Sequence, residues 1–204
     1  MSHDKYSVYL RGFKESDTEQ INRWRNDREL QALVSAPFRY VPEAIEREWV
    51  RSKMLNNRTD IYLAICLKEN DEMVGYISIN DIDHISRRAH VGGIVLDRKY
   101  HDGIIRHEVG MLIRELAFDQ LNLNRLEGGC IAEHIASRVA MEATGYILEG
   151  VRRQYVYKDG RYHDSCLYSL MREDYYDWMI RGEYSLRSFA KKVKELRKQY
   201  QNEK

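Results

Sequence analysis

Residues 89–118 read AHVGGIVLDRKYHDGIIRHEVGMLIRELAF, and this stretch decides the fold. Its first eight residues are mostly apolar or small and predict a strand. From residue 105 to residue 117, apolar side chains recur at helical spacing. A polar turn joins the strand to the helix. Two adjacent glycines, Gly92 and Gly93, interrupt the strand and predict a bulge or a close approach to the backbone.

The segments on either side extend this pattern. Before it, alternating apolar residues predict a strand near residues 6–13, then two helices and a strand hairpin. After it come a short buried strand, a helix over residues 134–144 and a hairpin closed by the turn Asp159-Gly160. The order β-α-α-β-β-β-α-β-α-β-β predicts an α/β domain with a mixed sheet. We expect this domain to span residues 1–176, followed by a helical extension over residues 177–204.

Composition narrows the class of protein. The chain has 204 residues, a formal net charge of +1 and three well-separated cysteines. No apolar run approaches the length of a membrane span, and the spacing of the cysteines favours reduced thiols over a disulfide framework or a zinc site. We therefore expect a cytoplasmic protein with no membrane segment, no metal and no nucleic-acid partner, and we leave a homodimer open. The extension predicts a docked or solvated helix, with a basic RNA-binding arm as the alternative.

The turn between the strand and the helix predicts an anion site. A strand that leads into a helix presents unpaired backbone N–H groups and the positive end of the helix dipole, which suits a pyrophosphate. An ordinary connection, in which a glycine serves the turn, explains the same pattern. The residues concerned are His101, Asp102, Gly103, Ile104, Ile105 and Arg106.

Four linked stretches resemble the GNAT acetyltransferases of the RimJ/RimL-like branch, over residues 6–174. Glu108 and the pair Ala117-Phe118 stand at the family's spacing after the turn. The stretches NLNRLEG, HIASRVAMEATGY and GVRRQYVYKDGRYHDSCLYSLMREDY then match the family's later motifs in order. The resemblance implies the GNAT fold, acetyl-CoA as the acyl donor and transfer of its acetyl group to a primary amine.

The pyrophosphate loop departs from the family pattern. The two family glycines fall at Asp102 and Ile104, and the single glycine, Gly103, lies between them. Asp102 brings a negative charge that Arg98, Lys99 and Arg106 could offset. The family tyrosine that serves as a general acid in some members is replaced by Met141, which cannot donate a proton.

The resemblance also implies roles for individual residues. The pantetheine arm would lie along Gly93, Ile94, Val95 and Leu96, and the pyrophosphate at residues 101–106. His134 and Ser137 would contact the cofactor or protonate the thiolate, although both also suit helix capping. Residues that bind the acceptor would be Trp24, Arg25 and Asn26, of which Trp24 also suits a core position.

His90 is the first candidate for the general base. It stands on the strand just before the two glycines, and an imidazole titrates near neutral pH. A half-exposed strand histidine without a catalytic role explains the same position. The acceptor stays open between a protein N-terminus, an amino sugar and a polyamine. The alternative function is a degenerate domain that binds a partner or ligand without turnover.

Overall fold

In the computed structural model of the protein, the described residues are 4–32, 34–101 and 103–202. The chain forms two compact units: residues 1–32 and 38–123 belong to the first, and residues 33–37 and 124–204 to the second. The chain combines a β-sheet with helices that precede, interrupt and follow its strands, which confirms the predicted α/β class. No helix in the described part of the chain is long and apolar enough to cross a membrane.

The first unit is built on antiparallel strands that pair in chain order. They are β1 (Val8–Gly12), β2 (Ile61–Leu67), β3 (Met73–Asp83), β4 (Arg88–Val91) and β5 (Val95–Leu96). Both β4 and β5 pair with β3. The helices are α1 (Thr18–Arg25), α2 (Arg28–Gln31), α3 (Glu43–Leu55) and α4 (Ile104–Glu115). An aromatic cluster forms part of the core of this unit and includes Phe13, Trp24, Trp49, Tyr62 and Tyr76.

The two adjacent glycines produce the predicted bulge. On β3, Tyr76 pairs with Val95 and Ile79 pairs with Val91, so three residues, 92–94, face the two residues between them. An extra residue in one strand removes ladder hydrogen bonds and leaves backbone groups unpaired. The ladder is therefore interrupted where the sequence predicts it.

The second unit contains the antiparallel order β6-β8-β7. Its elements are β6 (Arg125–Ile131), α5 (Ile135–Glu142), β7 (Ile147–Lys158), β8 (Arg161–Met171), α6 (Arg172–Ile180) and α7 (Leu186–Asn202). Asp159 and Gly160 both have positive φ, 48° and 80°, as the tightest hairpin turns require. The predicted hairpin between β7 and β8 is confirmed.

The C-terminal extension is helical, and α7 packs against α5. The Tyr200 hydroxyl donates to the Glu142 carboxylate at 2.5 Å, and the Arg138 guanidinium lies 4.5 Å from the centre of the Tyr200 ring. Glu142 also accepts from the Tyr168 hydroxyl at 2.8 Å. The expected boundary at residue 176 falls inside α6, which begins at Arg172.

We predict that Tyr200→Phe lowers the free energy of unfolding by about 1 kcal/mol, the usual net value of one hydrogen bond. The phenyl ring still covers Arg138, so only the bond to Glu142 is lost. Urea unfolding of the two proteins measures the difference. Tyr155→Phe is the matched control, because this ring is 59% exposed and its change should be close to neutral.

The two bulge glycines should respond differently to alanine. An added Cβ at Gly92 would lie 2.2 Å from the Ser78 hydroxyl oxygen, whereas at Gly93 it would meet open space. We predict that Gly92→Ala costs about 1–3 kcal/mol of stability, the scale of local overpacking, and that Gly93→Ala is close to neutral. Thermal and urea unfolding measure both. Adding Ser78→Ala to Gly92→Ala should restore most of the loss, and equal losses at the two glycines would show that the bulge is not packed this way.

Candidate active site

The predicted site residues divide between the two units. The first unit contains residues 24–26, His90, the strand segment 93–96 and the turn 101–106, of which Asp102 lies outside the described residues. The second unit contains His134 and Ser137.

The bulge presents backbone groups that the ladder does not use. Gly92 N–H donates to the Ser78 carbonyl at 2.9 Å, and pairing with β3 resumes only at Val95. Gly93 and Ile94 lie between these points, and Gly93 is exposed. Backbone N–H groups held in this way can bind a carbonyl oxygen or a developing oxyanion. The segment from Gly93 to Leu96 therefore has the geometry expected of a pantetheine and acetyl site.

The turn after β5 leads into a helix N-terminus of the expected kind. Gly103 is the N-cap of α4 and has φ of +92°, a left-handed conformation that favours glycine. The first turn of α4, Ile104–Arg106, directs its backbone N–H groups out of the helix end. His101 is tied back to the strand through a 3.0 Å hydrogen bond between its Nε2 and the Leu96 carbonyl. A pyrophosphate is the kind of group that such a turn binds.

The basic residues near this turn differ in whether other side chains already bind them. Arg98 forms ion pairs with Asp27 and Glu29, and Lys99 lies 2.5 Å from Glu72. These two cations are therefore engaged by carboxylates from other segments.

Arg106 differs from both. It is half-buried in the first turn of α4, and burial lowers the pKa of its guanidinium. No described carboxylate forms an ion pair with it. A desolvated cation at a helix N-terminus favours an anionic ligand, so Arg106 fits the pyrophosphate of a CoA ester.

All three predicted acceptor-binding residues have structural contacts, and those of Trp24 and Asn26 leave them a structural role. Trp24 is buried in the aromatic cluster, and its indole N–H donates to Asp97 at 3.3 Å. Asn26 exchanges two hydrogen bonds with the backbone of Val41, at 2.8 and 2.9 Å. Trp24 is therefore a core residue, as the alternative for it predicts. Asn26 holds the segment before α3 through its hydrogen bonds to Val41.

Arg25 is placed differently. Its guanidinium donates to the buried carboxylate of Glu46 at 2.9 Å and lies 4.6 Å from the centre of the Trp49 ring. The side chain is 30% exposed. A planar cation held from two sides keeps further N–H donors for a ligand.

Sequence reasoning missed a polar row on β3. Tyr76, Ser78 and Asn80 alternate along the strand and so share one face, and Asn80 pairs across the ladder with His90. The Tyr76 ring packs in the aromatic cluster, and burial raises its pKa to about 12 with a further contribution from Glu46. The alternation in YISIN is a signal that could have identified the row. The sequence around Glu46 has no comparable pattern that would identify it as the partner of Arg25.

In the second unit, His134 and Ser137 begin α5. His134 is the N-cap residue, but its side chain makes no capping hydrogen bond. Burial raises the pKa of the Cys130 thiol to about 11, and interactions with Arg138 and Ser137 oppose that rise. The Met141 methyl lies 3.0 Å from the position of a Cβ on Gly128, so this side chain faces β6 and offers no proton. Among residues 4–32, 34–101 and 103–202, no group of three His, Cys, Asp or Glu side chains could hold a metal ion.

Comparison with known proteins agrees with this geometry. The family model described as an acetyltransferase (GNAT) domain matches residues 7–147. An uncharacterized N-acetyltransferase, p20, of Bacillus licheniformis is 27% identical over 81% of this chain and 93% of its own length. The ribosomal-protein-serine acetyltransferase of Escherichia coli is 28% identical over 71% and 80%, respectively.

The fold is shared with solved structures of the same kind. A spermidine N-acetyltransferase from Vibrio cholerae, solved with CoA and spermine, superposes with a TM-score of 0.76. That match covers 83% of this chain and 98% of the other at 17% identity, so it shows the fold alone. The chain belongs to the GNAT acetyltransferase family and is an N-acetyltransferase that uses acetyl-CoA.

Proposed function

We propose that the protein transfers the acetyl group of acetyl-CoA to the α-amino group at the N-terminus of a protein. The main support for the proposal is the arrangement of the Arg25 side chain. Glu46 and Trp49 hold its guanidinium in place, and its remaining N–H groups can donate to a ligand. A RimJ/RimL-like role, in the cytoplasm, agrees with the three buried free cysteines and with the ribosomal-protein-serine acetyltransferase among its relatives.

Hydrogen-bond chemistry favours a peptide over a polyamine. A peptide N-terminus carries a carbonyl oxygen two carbon atoms from its amine, and Arg25 can donate to that oxygen. The Tyr76 hydroxyl stays protonated at neutral pH, because its pKa is about 12, and provides a second donor. A polyamine offers only donors and positive charge, so it would meet the like charge of Arg25. The nearby carboxylates Asp27, Glu29 and Glu72 are already paired with cations.

An amino sugar is the second candidate acceptor. Its ring and hydroxyl oxygens can also accept from Arg25, and aromatic side chains such as Trp49 and Tyr76 commonly pack against sugar rings.

The bulge and the turn support an enzyme over a domain that binds without turnover. Both present backbone N–H donors of the kind that a CoA ester requires.

The reaction needs a base and an oxyanion donor. The neutral amine nitrogen forms the C–N bond with the acetyl carbonyl carbon, the C–S bond breaks, and CoA leaves as its thiolate. We assign the amine proton to His90 and the developing oxyanion to the backbone N–H groups at residues 93–94. Thiols have pKa values near 8.5, so the thiolate leaves near neutral pH and can take its proton from water. The family resemblance names His134 and Ser137 for this step, and both belong to the second unit.

We predict that Gly103→Val weakens CoA binding by about tenfold or more, because φ of +92° strains any β-branched residue and displaces the first turn of α4. Isothermal titration measures the dissociation constant. Gly160→Val is the matched control, with φ of +80° and an equally open Cβ position in the hairpin turn. It should lose stability without losing affinity for CoA. Unchanged affinity in Gly103→Val would place the pyrophosphate elsewhere.

The acceptor is tested by a panel of amines with acetyl-CoA. We predict that peptides with a free N-terminus are acetylated with higher kcat/KM than spermidine or a nucleotide-linked amino sugar, and that blocking the N-terminus abolishes the reaction. Arg25→Lys keeps the charge but loses the planar fork, so kcat/KM for the peptide should fall about tenfold or more while the affinity for acetyl-CoA is unchanged. Arg23→Lys, on the exposed side of the same helix, is the control. Faster transfer to spermidine than to every peptide would contradict the proposal.

A further inference from the structure

Two side chains of the polar row on β3, Ser78 and Asn80, pack against the bulge. The Asn80 Nδ2 donates to the Ser78 hydroxyl oxygen at 3.0 Å. That oxygen fills the space beside Gly92, 2.2 Å from where a Cβ would stand, and Asn80 Nδ2 lies 3.2 Å from the same point. The position of the Asn80 amide is therefore set by the bulge itself.

The other end of the same amide is unsatisfied. The Oδ1 atom of Asn80 is buried and accepts no hydrogen bond from any residue in the described part of the chain. A buried amide oxygen without a donor costs about 1–3 kcal/mol, and proteins seldom retain one without a reason. Leucine has nearly the same size and shape and would avoid this cost.

A donor for this oxygen lies across the ladder. Asn80 and His90 are directly paired, so their side chains share one face and their Cβ atoms are about 4.5–5.5 Å apart. As a base, the neutral imidazole must direct the lone pair of one nitrogen toward the amine, so its single N–H lies on the other nitrogen. From a cross-strand position, that N–H can be turned toward Asn80 Oδ1. The bond then fixes the tautomer, and it strengthens when the ring takes the amine proton and becomes a cation.

We propose that Asn80 is a positioning residue that holds the His90 imidazole and stabilises it when it takes the proton of the acceptor amine. The proposal rests on the proposed role of His90 as the base. It assigns Asn80 the task of fixing the orientation and tautomer of the ring, and it gives the buried Oδ1 atom a donor once the ring turns toward it.

On β3 and β4, the strands that carry Asn80 and His90, Asp83 lies 3.8 Å from Arg88. Lys53 and Asp60 form another ion pair in this unit, at 3.5 Å. Asp81 is exposed, and its backbone N–H bonds to Asp60. Asn80 therefore acts on the ring as a local hydrogen-bond acceptor that complements these charges.

A double-mutant cycle tests the proposal, because it separates an effect through His90 from an independent structural effect. With the acceptor that the parent protein acetylates best, Asn80→Leu should lower kcat by about 10- to 100-fold, and His90→Ala by about 100-fold or more. In the His90→Ala background, adding Asn80→Leu should change kcat less than about twofold. Additive losses, an unchanged rate in Asn80→Leu or an unchanged rate in His90→Ala would each overturn the proposal.

A second measurement does not depend on activity. The ring of His90 is titrated by NMR in the parent, in Asn80→Leu and in Asn80→Asp. We expect the titration midpoint to move to lower pH in the leucine variant, which lacks the acceptor, and to higher pH in the aspartate variant, which keeps it and adds charge. Identical midpoints would overturn the proposal even if no acceptor amine is found, whereas shifted midpoints in a protein that acetylates no amine would contradict only the proposed function.

Discussion

The candidate site in the first unit depends on one β-bulge. Between β4 and β5, three residues, 92–94, face only two residues of β3. The extra residue frees backbone N–H groups at Gly93 and Ile94 in a strand that is otherwise paired. It also brings the Ser78 hydroxyl so close to residue 92 that no side chain fits there. The same geometric constraint thus leaves the backbone N–H groups that the proposed mechanism assigns to the oxyanion, and it fixes the polar side chains beside them.

Much of this arrangement could be predicted from the sequence, because its signals are local. Adjacent glycines in a strand indicate a bulge, and a glycine before an amphipathic helix indicates its N-terminal turn, which Gly103 forms. Glu108 was also found by its spacing, and its carboxylate binds the backbone and hydroxyl of Ser7, so its role is to tie the start of β1 to α4. Motif spacing identified the position correctly without revealing that contact.

The rest of the site could not be predicted because it depends on contacts between distant segments. The partner of Arg25 is Glu46, 21 positions away on another helix, and nothing in either helix alone indicates a buried ion pair. Arg98 and Lys99 stand beside the turn in sequence, yet carboxylates from α2 and from the β2–β3 turn engage them. Proximity along the chain therefore does not reveal the carboxylates that engage these two cations.

Arg106 forms no ion pair with a carboxylate in the described part of the chain. A half-buried cation of this kind is costly unless a negative charge lies nearby, and burial lowers the pKa of its guanidinium. Its position in the first turn of α4 adds its charge to the helix dipole. The two glycines of the family pattern are absent here, so one left-handed glycine and one desolvated arginine together would replace the looser backbone of the usual loop.

In the second unit, the C-terminal extension packs against the helix that begins at two of the predicted site residues. Glu142, in the last turn of α5, accepts hydrogen bonds from Tyr168 on β8 and Tyr200 on α7. Arg138, one turn earlier, contacts both of the same tyrosines. The helix that begins at His134 and Ser137 is therefore held at its C-terminal half by a network that includes the extension. Because a helix moves as a rigid element over so short a length, α7 helps to determine where those two side chains stand.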